Sequence, residues 1–269
     1  MNVAFIGGGN MAHAMLGGMR EGGMPTKAMH VLEPDAAKGT ELEQTFGVAA
    51  HISAGEWLRN ADVVVLAVRP QHAHDAVAAA APFMATPVVV SIAAGVRGRA
   101  LARWLGHDRI VRAMPNTPAL IRKGITGAVA LPGVSDGQRA NADRILQSIG
   151  TVLWLDDEAL LDPVTAISGS GPAYVFYFIE ALQDAALDMG FSPAEARTLA
   201  VETFDGAAQL ARQSDEPVSK LRERVTSKGG TTAAALARLD QHDVRSHIVE
   251  AARAARDRAA ELGEQFDVD

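Results

Sequence analysis

The chain has 269 residues, 48% of them hydrophobic and 21% charged, which gives a globular chain room for one large or two medium domains. A net charge of −7, with no basic stripe, argues against nucleic acid or an anionic membrane as the main partner. No cysteine is present, which excludes disulfides, thiol nucleophiles and thiolate-held metals and suits a reducing cytoplasm.

The first element is an uncharged run, Val3–Ile6, that reads as a buried strand. A strand this early leaves no room for a signal peptide, and no apolar run approaches the ~18–20 residues of a membrane helix. A cytoplasmic protein is expected. The strand leads into Gly7-Gly8-Gly9-Asn10-Met11-Ala12, where Gly7, Gly9 and Ala12 fit the spacing G-x-G-x-x-G/A. Gly7 permits a tight turn, Gly9 lets backbone approach a pyrophosphate, and Ala12 lets the helix pack closely on the strand. The helix start then offers N–H groups and a positive dipole to phosphates. A glycine-rich connection that binds nothing would share the pattern. The strand before it and the helix after it, closing at Gly22-Gly23, favour a dinucleotide.

Strands are predicted next at Met29–Leu32, ending in Glu33-Pro34, and at Val63–Val68, stopped by Arg69-Pro70, with a helix over Asp35–Phe46 between them. Further strands are predicted at Val88–Ile92, before Ala93-Ala94-Gly95, and at Arg109–Met114, before Pro115-Asn116-Thr117-Pro118. Thr126–Leu131 and Thr151–Leu155 complete the set, around a helix over Asp136–Ile149. This alternation marks βαβ units and a parallel sheet. Ligands of such sheets bind beyond the carboxyl ends of strands. Three of these ends, at Val68-Arg69-Pro70, Ala93–Gly95 and Pro115–Pro118, carry small, kinked or polar residues that suit a cleft.

From about residue 160 no strand is predicted. Ser168-Gly169-Ser170-Gly171-Pro172 reads as a breaker cluster before a helix from Ala173 to Met189. That helix is apolar nearly all round and should be buried on every side, which calls for a partner subunit. Ser192-Pro193-Ala194-Glu195 is a capping box for a second long helix, to about Arg212. A short helix over 217–224, a helix over Ala233–Leu239 and a last one over 244–263 follow. The fold class expected is α/β: a Rossmann-like doubly wound sheet over 1–160, then an all-helical dimerisation and substrate domain over 161–269.

The chemistry narrows by what is missing. Ketone reducers commonly place a lysine, histidine or tyrosine acid against the nascent alkoxide. The helix 173–189 has no lysine or histidine, and Tyr174 and Tyr177 lie in its greasiest turns. A protonated C=N substrate becomes a neutral amine on receiving hydride and needs no such acid. The loop Ser227–Thr232 either holds a small carboxylate on a helix start or is a plain threonine cap after a glycine turn. His72 and His74 read as a solvated helix start, as does Asp156-Asp157-Glu158, and no metal site is expected.

These segments together resemble the pyrroline-5-carboxylate reductase family, nearly end to end. The carriers are Phe5–Ala12, Ala67-Val68-Arg69-Pro70, Ser91–Gly95, Arg112–Pro118, Ser168–Tyr174 and Gly229-Gly230-Thr231-Thr232. The resemblance implies that Gly7, Gly8, Gly9, Asn10, Met11, Ala12, Ala67, Val68, Arg69, Pro70, Ala93, Ala94 and Gly95 line the dinucleotide, NADP(H) by family habit. It puts the substrate carboxylate on Ser227, Gly230 and Thr231, and the Thr232 hydroxyl on the ring nitrogen. Asn116 would lie near the nicotinamide. Hydride would reach the imine carbon and give L-proline. It also implies an intertwined homodimer, often built into a decamer.

Three positions depart from the family pattern. Arg69 replaces a lysine, and Lys228 replaces a proline before Gly-Gly-Thr-Thr. Glu33 stands about 20 residues past the glycine turn, where an acid binds the ribose 2′-hydroxyl of NAD and repels a 2′-phosphate, so NAD(H) is also expected to serve. Rival readings are another imine or β-hydroxyacid reductase, and a nucleotide sensor without turnover. The proton donor to the imine is left open between water, Thr232 and pre-protonated substrate.

Overall fold

A computed structural model describes residues 1–84 and 86–266, so the end of the second expected domain, 267–269, lies outside the described residues. By contacts the chain forms two compact units. One is Met1–Ser170 with the chain from Ala255 onward, and the other is Gly171–Ala254.

The first unit holds a single eight-stranded sheet among the described residues. Its strands are β1 Val3–Ile6, β2 Met29–Leu32, β3 Ala49–His51, β4 Val63–Leu66, β5 Val88–Ser91, β6 Ile110–Met114, β7 Gly124–Ala130 and β8 Gly150–Trp154. Their spatial order is β3-β2-β1-β4-β5-β6-β7-β8. The chain moves outward from β1 to β3, then returns to lay β4 against β1. That reversal is the switch point at which open α/β sheets bind ligands.

Successive residues point to opposite faces, so each central strand supplies two cores. Val3, Phe5, Val63, Val65, Val88 and Val90 pack on one face with Met15 and Leu16 of α1 (Asn10–Glu21), Leu42 of α2 (Ala36–Phe46) and Ile145 and Leu146 of a later helix, Asp136–Gln147. Ala4, Ile6, Val64, Leu66 and Val89 pack on the other with Val77 of α3 (Ala73–Ala80) and Leu101 of α4 (Gly98–Leu105). Helix Asp136–Gln147, α5, starts at a capping box between Ser135 and Gln138.

Two features of the sheet differ from the sequence expectation. β3 is an Ala-Ala-His segment with no apolar run, yet it pairs with β2, Leu32 opposite His51. β7 runs antiparallel to β6. A parallel neighbour needs a crossover of a dozen or more residues. Residues 115–123 hold only a short 3₁₀ turn, Thr117–Ile121, so the chain doubles back.

The breaker cluster also behaves differently. Helix α6 (Leu161–Val164), a π turn over Thr165–Gly169 and helix α7 (Gly171–Asp188) follow one another with only Ser170 between the last two. The Ser170 N–H donates to the Thr165 carbonyl at 2.8 Å, five residues back. Pro172 falls in the first turn of α7, the place in a helix where proline is best tolerated.

The second unit comprises α7, α8 (Pro193–Gln213), α9 (Val218–Arg224), α10 (Thr231–Gln241) and the first turns of α11 (Val244–Gln265). Ser192 and Glu195 form the predicted capping box, and the serine's hydrogen bonds hold the Glu195 carboxyl below its ordinary range. Phe176 and Tyr177 of α7 are 61% and 70% exposed in the single chain, so one copy alone does not bury the helix expected to be buried on every side. Among the described residues no helix is long and apolar enough to cross a membrane.

Adjacent glycines in α1 separate helix propensity from packing. Alanine in place of glycine inside a helix gains up to ~1 kcal/mol by propensity. A Cβ on Gly17 would meet only Phe46 at 3.5 Å, whereas one on Gly18 would collide with the Ser148 carbonyl oxygen, which is backbone and cannot move aside cheaply. Gly17→Ala is therefore expected to raise the urea midpoint of unfolding, and Gly18→Ala to lower it by more. Equal shifts of the same sign would contradict this packing.

Candidate functional site

The strand register brings three predicted residues level. Ile6 lies opposite Leu32 on one side and Leu66 on the other, so Gly7, Glu33 and Ala67 leave the sheet at one height. The Gly7 N–H donates to Leu32 O at 2.9 Å and the Ala67 N–H to Ile6 O at 2.8 Å. Gly7 has φ +99°, and a Cβ there would lie 2.8 Å from the Ala67 carbonyl oxygen. Both conformation and space demand glycine.

Gly9 caps α1 but offers no side chain to it, and α1 has no acid in its first turn. Its first N–H groups therefore have neither a capping side chain nor an acid of their own helix. A Cβ on Gly9 would meet nothing of the chain within 4 Å. Beside this open space lies a cleft of about 810 Å³ lined by Gly7, Gly8, Gly9, Glu33, Ala67, Val68 and Arg69, among others. These residues fit a dinucleotide: close backbone, uncapped helix start and room. Pro70 opens the next 3₁₀ turn. Asn10 and Met11 begin α1, and Ala12 is fully buried under it.

The cleft also takes in residues that the sequence did not single out as lining it: Lys38, Ile52, Ser53, Ala54, His72 and Asp75. Ile52–Ala54 follow β3, so missing that strand meant missing them. His51, at its end, stacks on Trp57 with ring centroids 4.0 Å apart and bonds His30 at 3.1 Å. Burial, then the His30 charge, lower the His51 pKa against a smaller pull from Glu43. His74 pairs with Asp75 instead of joining His72, and no group of three or more metal-ligating side chains occurs among the described residues.

Ala93, Ala94 and Gly95 do not line the large cleft. They border a separate cavity of about 40 Å³ with Arg112, Met114, Asp162, Thr165 and Leu262. Two ion pairs surround it. Arg97 grips Asp162 with two bonds of 3.1 and 2.8 Å. Arg112, only 5% exposed, donates to Glu158 at 2.6 Å. Burial pulls the Arg112 pKa down, and the Glu158 carboxylate pulls it back up. Glu158 also accepts the Gly98 N–H at 2.6 Å. The expected solvated acidic run thus divides: Asp157 caps a 3₁₀ turn, while Glu158 turns inward to a buried guanidinium. Spacing alone could not reveal that long-range partner.

Asn116 is 9% exposed, and its amide is committed inside the protein. Its oxygen accepts the Ile125 N–H at 2.9 Å, and its NH₂ donates to the Ser168 carbonyl at 3.0 Å. Ser168 needs this donor because the residue four positions on is Pro172, which has no N–H. Asn116→Ala would orphan both groups, at about 1–3 kcal/mol each if they stay buried. A denaturant titration is expected to show that loss, and an unchanged midpoint would contradict the bonding described.

In the second unit, Gly229 has φ +73° and the Gly230 N–H closes onto Ser227 O at 3.0 Å. Gly230 is the N-cap of α10, with no side-chain cap and no acid in the first turn. A Cβ on Gly230 would collide with the Ser227 hydroxyl oxygen. The fold therefore brings Ser227, Gly230, Thr231 and Thr232 together around a helix start that lacks an internal acceptor. Lys228 is exposed.

Comparison with known proteins places these features in one family. Residues 158–262 match the model described as pyrroline-5-carboxylate reductase dimerisation, and residues 2–95 match that of NADP oxidoreductase, coenzyme F420-dependent. A pyrroline-5-carboxylate reductase of Pseudomonas aeruginosa is 43% identical over 98% of this chain and 97% of its own length. The solved enzyme from Coxiella burnetii superposes with a TM-score of 0.92 at 37% identity, covering 97% of this chain and 98% of that one. That of Plasmodium falciparum, with NADP bound, gives 0.86 at 28% identity, covering 98% of each chain. The chain belongs to the pyrroline-5-carboxylate reductase family, NAD(P)-dependent oxidoreductases.

Proposed function

We propose that this chain reduces 1-pyrroline-5-carboxylate to L-proline, the last step of proline synthesis, using a reduced nicotinamide dinucleotide. The observation that carries the reading is the pairing, in one family member, of two uncapped helix starts. The first, after Gly7–Gly9, suits a pyrophosphate. The second, after Ser227–Gly230, suits one small carboxylate.

The roles follow from these atoms. Gly7–Met11, Glu33 and Ala67–Pro70 hold the dinucleotide, with Ala12 packed behind them and Ala93–Gly95 at the next strand end. The Thr231 N–H and the Ser227 hydroxyl, at the open backbone of Gly230, hold the substrate carboxylate, and the Thr232 hydroxyl bonds the ring nitrogen. A bound reduced nicotinamide supplies the hydride. A protonated imine carries its own charge to neutralise, which explains why α7 offers no lysine or histidine as an acid. Asn116 acts by positioning: its amide ties the start of β7 to the π turn.

The working form is a cytoplasmic homodimer able to build a decamer, with no nucleic-acid or membrane partner. It divides into a dinucleotide half, 1–160, and a helical half, 161–269, that makes the dimer. The exposed aromatics of α7 and an apolar groove lined by Tyr174, Tyr177, Phe178 and Ile248 support that pairing.

The assay is the loss of 340 nm absorbance on adding pyrroline-5-carboxylate, run with NADH and with NADPH. Turnover is expected, and binding of a cofactor without turnover would overturn the reading in favour of a sensor. Thr232→Val, which keeps the shape and removes the hydroxyl, is expected to cut kcat/KM by about tenfold or more, one hydrogen bond to a charged group being worth ~1.5–3 kcal/mol. Its cofactor affinity should not change.

A further inference from the structure

The end of β2 carries two acids, and both are tied down by backbone. Glu33 uses both carboxylate oxygens. Oε2 accepts the Gly8 N–H at 3.1 Å, and Oε1 accepts the Asp35 N–H at 3.1 Å. The carboxylate is thereby fixed against the glycine turn, at the rim of the large cleft. A carboxylate has about four acceptor sites, so two remain for hydroxyl donors.

Asp35 completes the arrangement. Its side chain accepts the N–H groups of Ala37 at 2.9 Å and Lys38 at 3.3 Å, capping α2. The Glu33 N–H is spent on His51 O at 2.9 Å. The N–H groups of Glu33, Asp35, Ala37 and Lys38 are thus all used inside the chain, and Pro34 has none. A phosphate at this point would need such donors. It would find the N–H groups of Asp35, Ala37 and Lys38 holding carboxylates and that of Glu33 holding a carbonyl, with the Glu33 charge at the cleft rim. Lys38 and Arg69 line the cleft as well and offset its overall charge, but they are single flexible cations against an acid held by two backbone bonds.

We infer that Glu33, backed by Asp35, selects the cofactor: it accepts the ribose 2′-hydroxyl of NADH and disfavours the 2′-phosphate of NADPH. The inference rests on the cleft being the dinucleotide site. It separates this chain from a relative such as the Plasmodium falciparum enzyme, which was solved with NADP bound.

Binding without substrate tests it. Fluorescence of the reduced nicotinamide gives dissociation constants for NADH and NADPH with the full-length protein, free of any turnover. NADH is expected to bind about tenfold or more tightly than NADPH, a difference of ~1.4 kcal/mol or more. Glu33→Gln is expected to shrink that ratio, and Glu33→Ser with Asp35→Asn to bring it to unity or reverse it by tightening NADPH. Tighter binding of NADPH by the unaltered protein, with a ratio that neither variant moves, would overturn the selectivity while pyrroline-5-carboxylate turnover kept the proposed reaction intact. Binding of neither nucleotide would overturn the selectivity together with the assignment of the cleft.

Discussion

The close approach of the β1 turn to the end of β4 is the constraint on which the site depends. Gly7 sits at φ +99° with the Ala67 carbonyl where its Cβ would be. Any side chain there would push β1 and β4 apart at the switch point. The turn could then no longer deliver the start of α1 beside Ala67–Arg69. The parallel register does the rest, because Gly7, Glu33 and Ala67 leave neighbouring strands at one level. Fixed backbone, more than charged side chains, shapes the cleft.

A second constraint governs the carboxyl edge of the sheet. Pro172 deprives Ser168 of its helical donor, and Asn116 replaces that donor from the loop after β6. The same side chain accepts the Ile125 N–H at the start of β7, so one amide ties a strand start to a π turn. Arg97 with Asp162, and Arg112 with Glu158, pin the adjoining helical segment beside Ala93–Gly95. Buried ion pairs of this kind add little net stability, but losing one partner leaves a buried charge unpaired. They act as locators of the segment more than as its glue.

Much of this was legible in sequence for physical reasons. Val63–Val65 and Val88–Val90 are continuous β-branched runs, buried on both faces, and such strands announce themselves without context. The glycine turn and the Ser192–Glu195 capping box are local, so spacing sufficed. What was hidden is long-range or cooperative. β3 exists because β2 offers an edge, not because Ala-Ala-His prefers a strand. Glu158 looks like its acidic neighbours until Arg112 is folded beside it. The glycines and serines of 168–171 read as a break, yet a wider π turn takes in Ser168 and Gly169, and α7 already begins at Gly171. Asn116 looked like a residue aimed into the cleft, and its partners are within the protein. Glu33 was visible as an acid at the right distance, but its two backbone bonds and the capping by Asp35 were not.

In the function proposed above, the uncapped start of α1, after Gly7–Gly9, is where the chain grips a dinucleotide. The first N–H groups of a helix have no internal acceptor and exchange readily with solvent. Hydrogen exchange by mass spectrometry, with and without a saturating nicotinamide dinucleotide, reads them directly. Slowed exchange is expected over residues 7–12 and 67–72. Protection that spares 7–12 and appears elsewhere would contradict it.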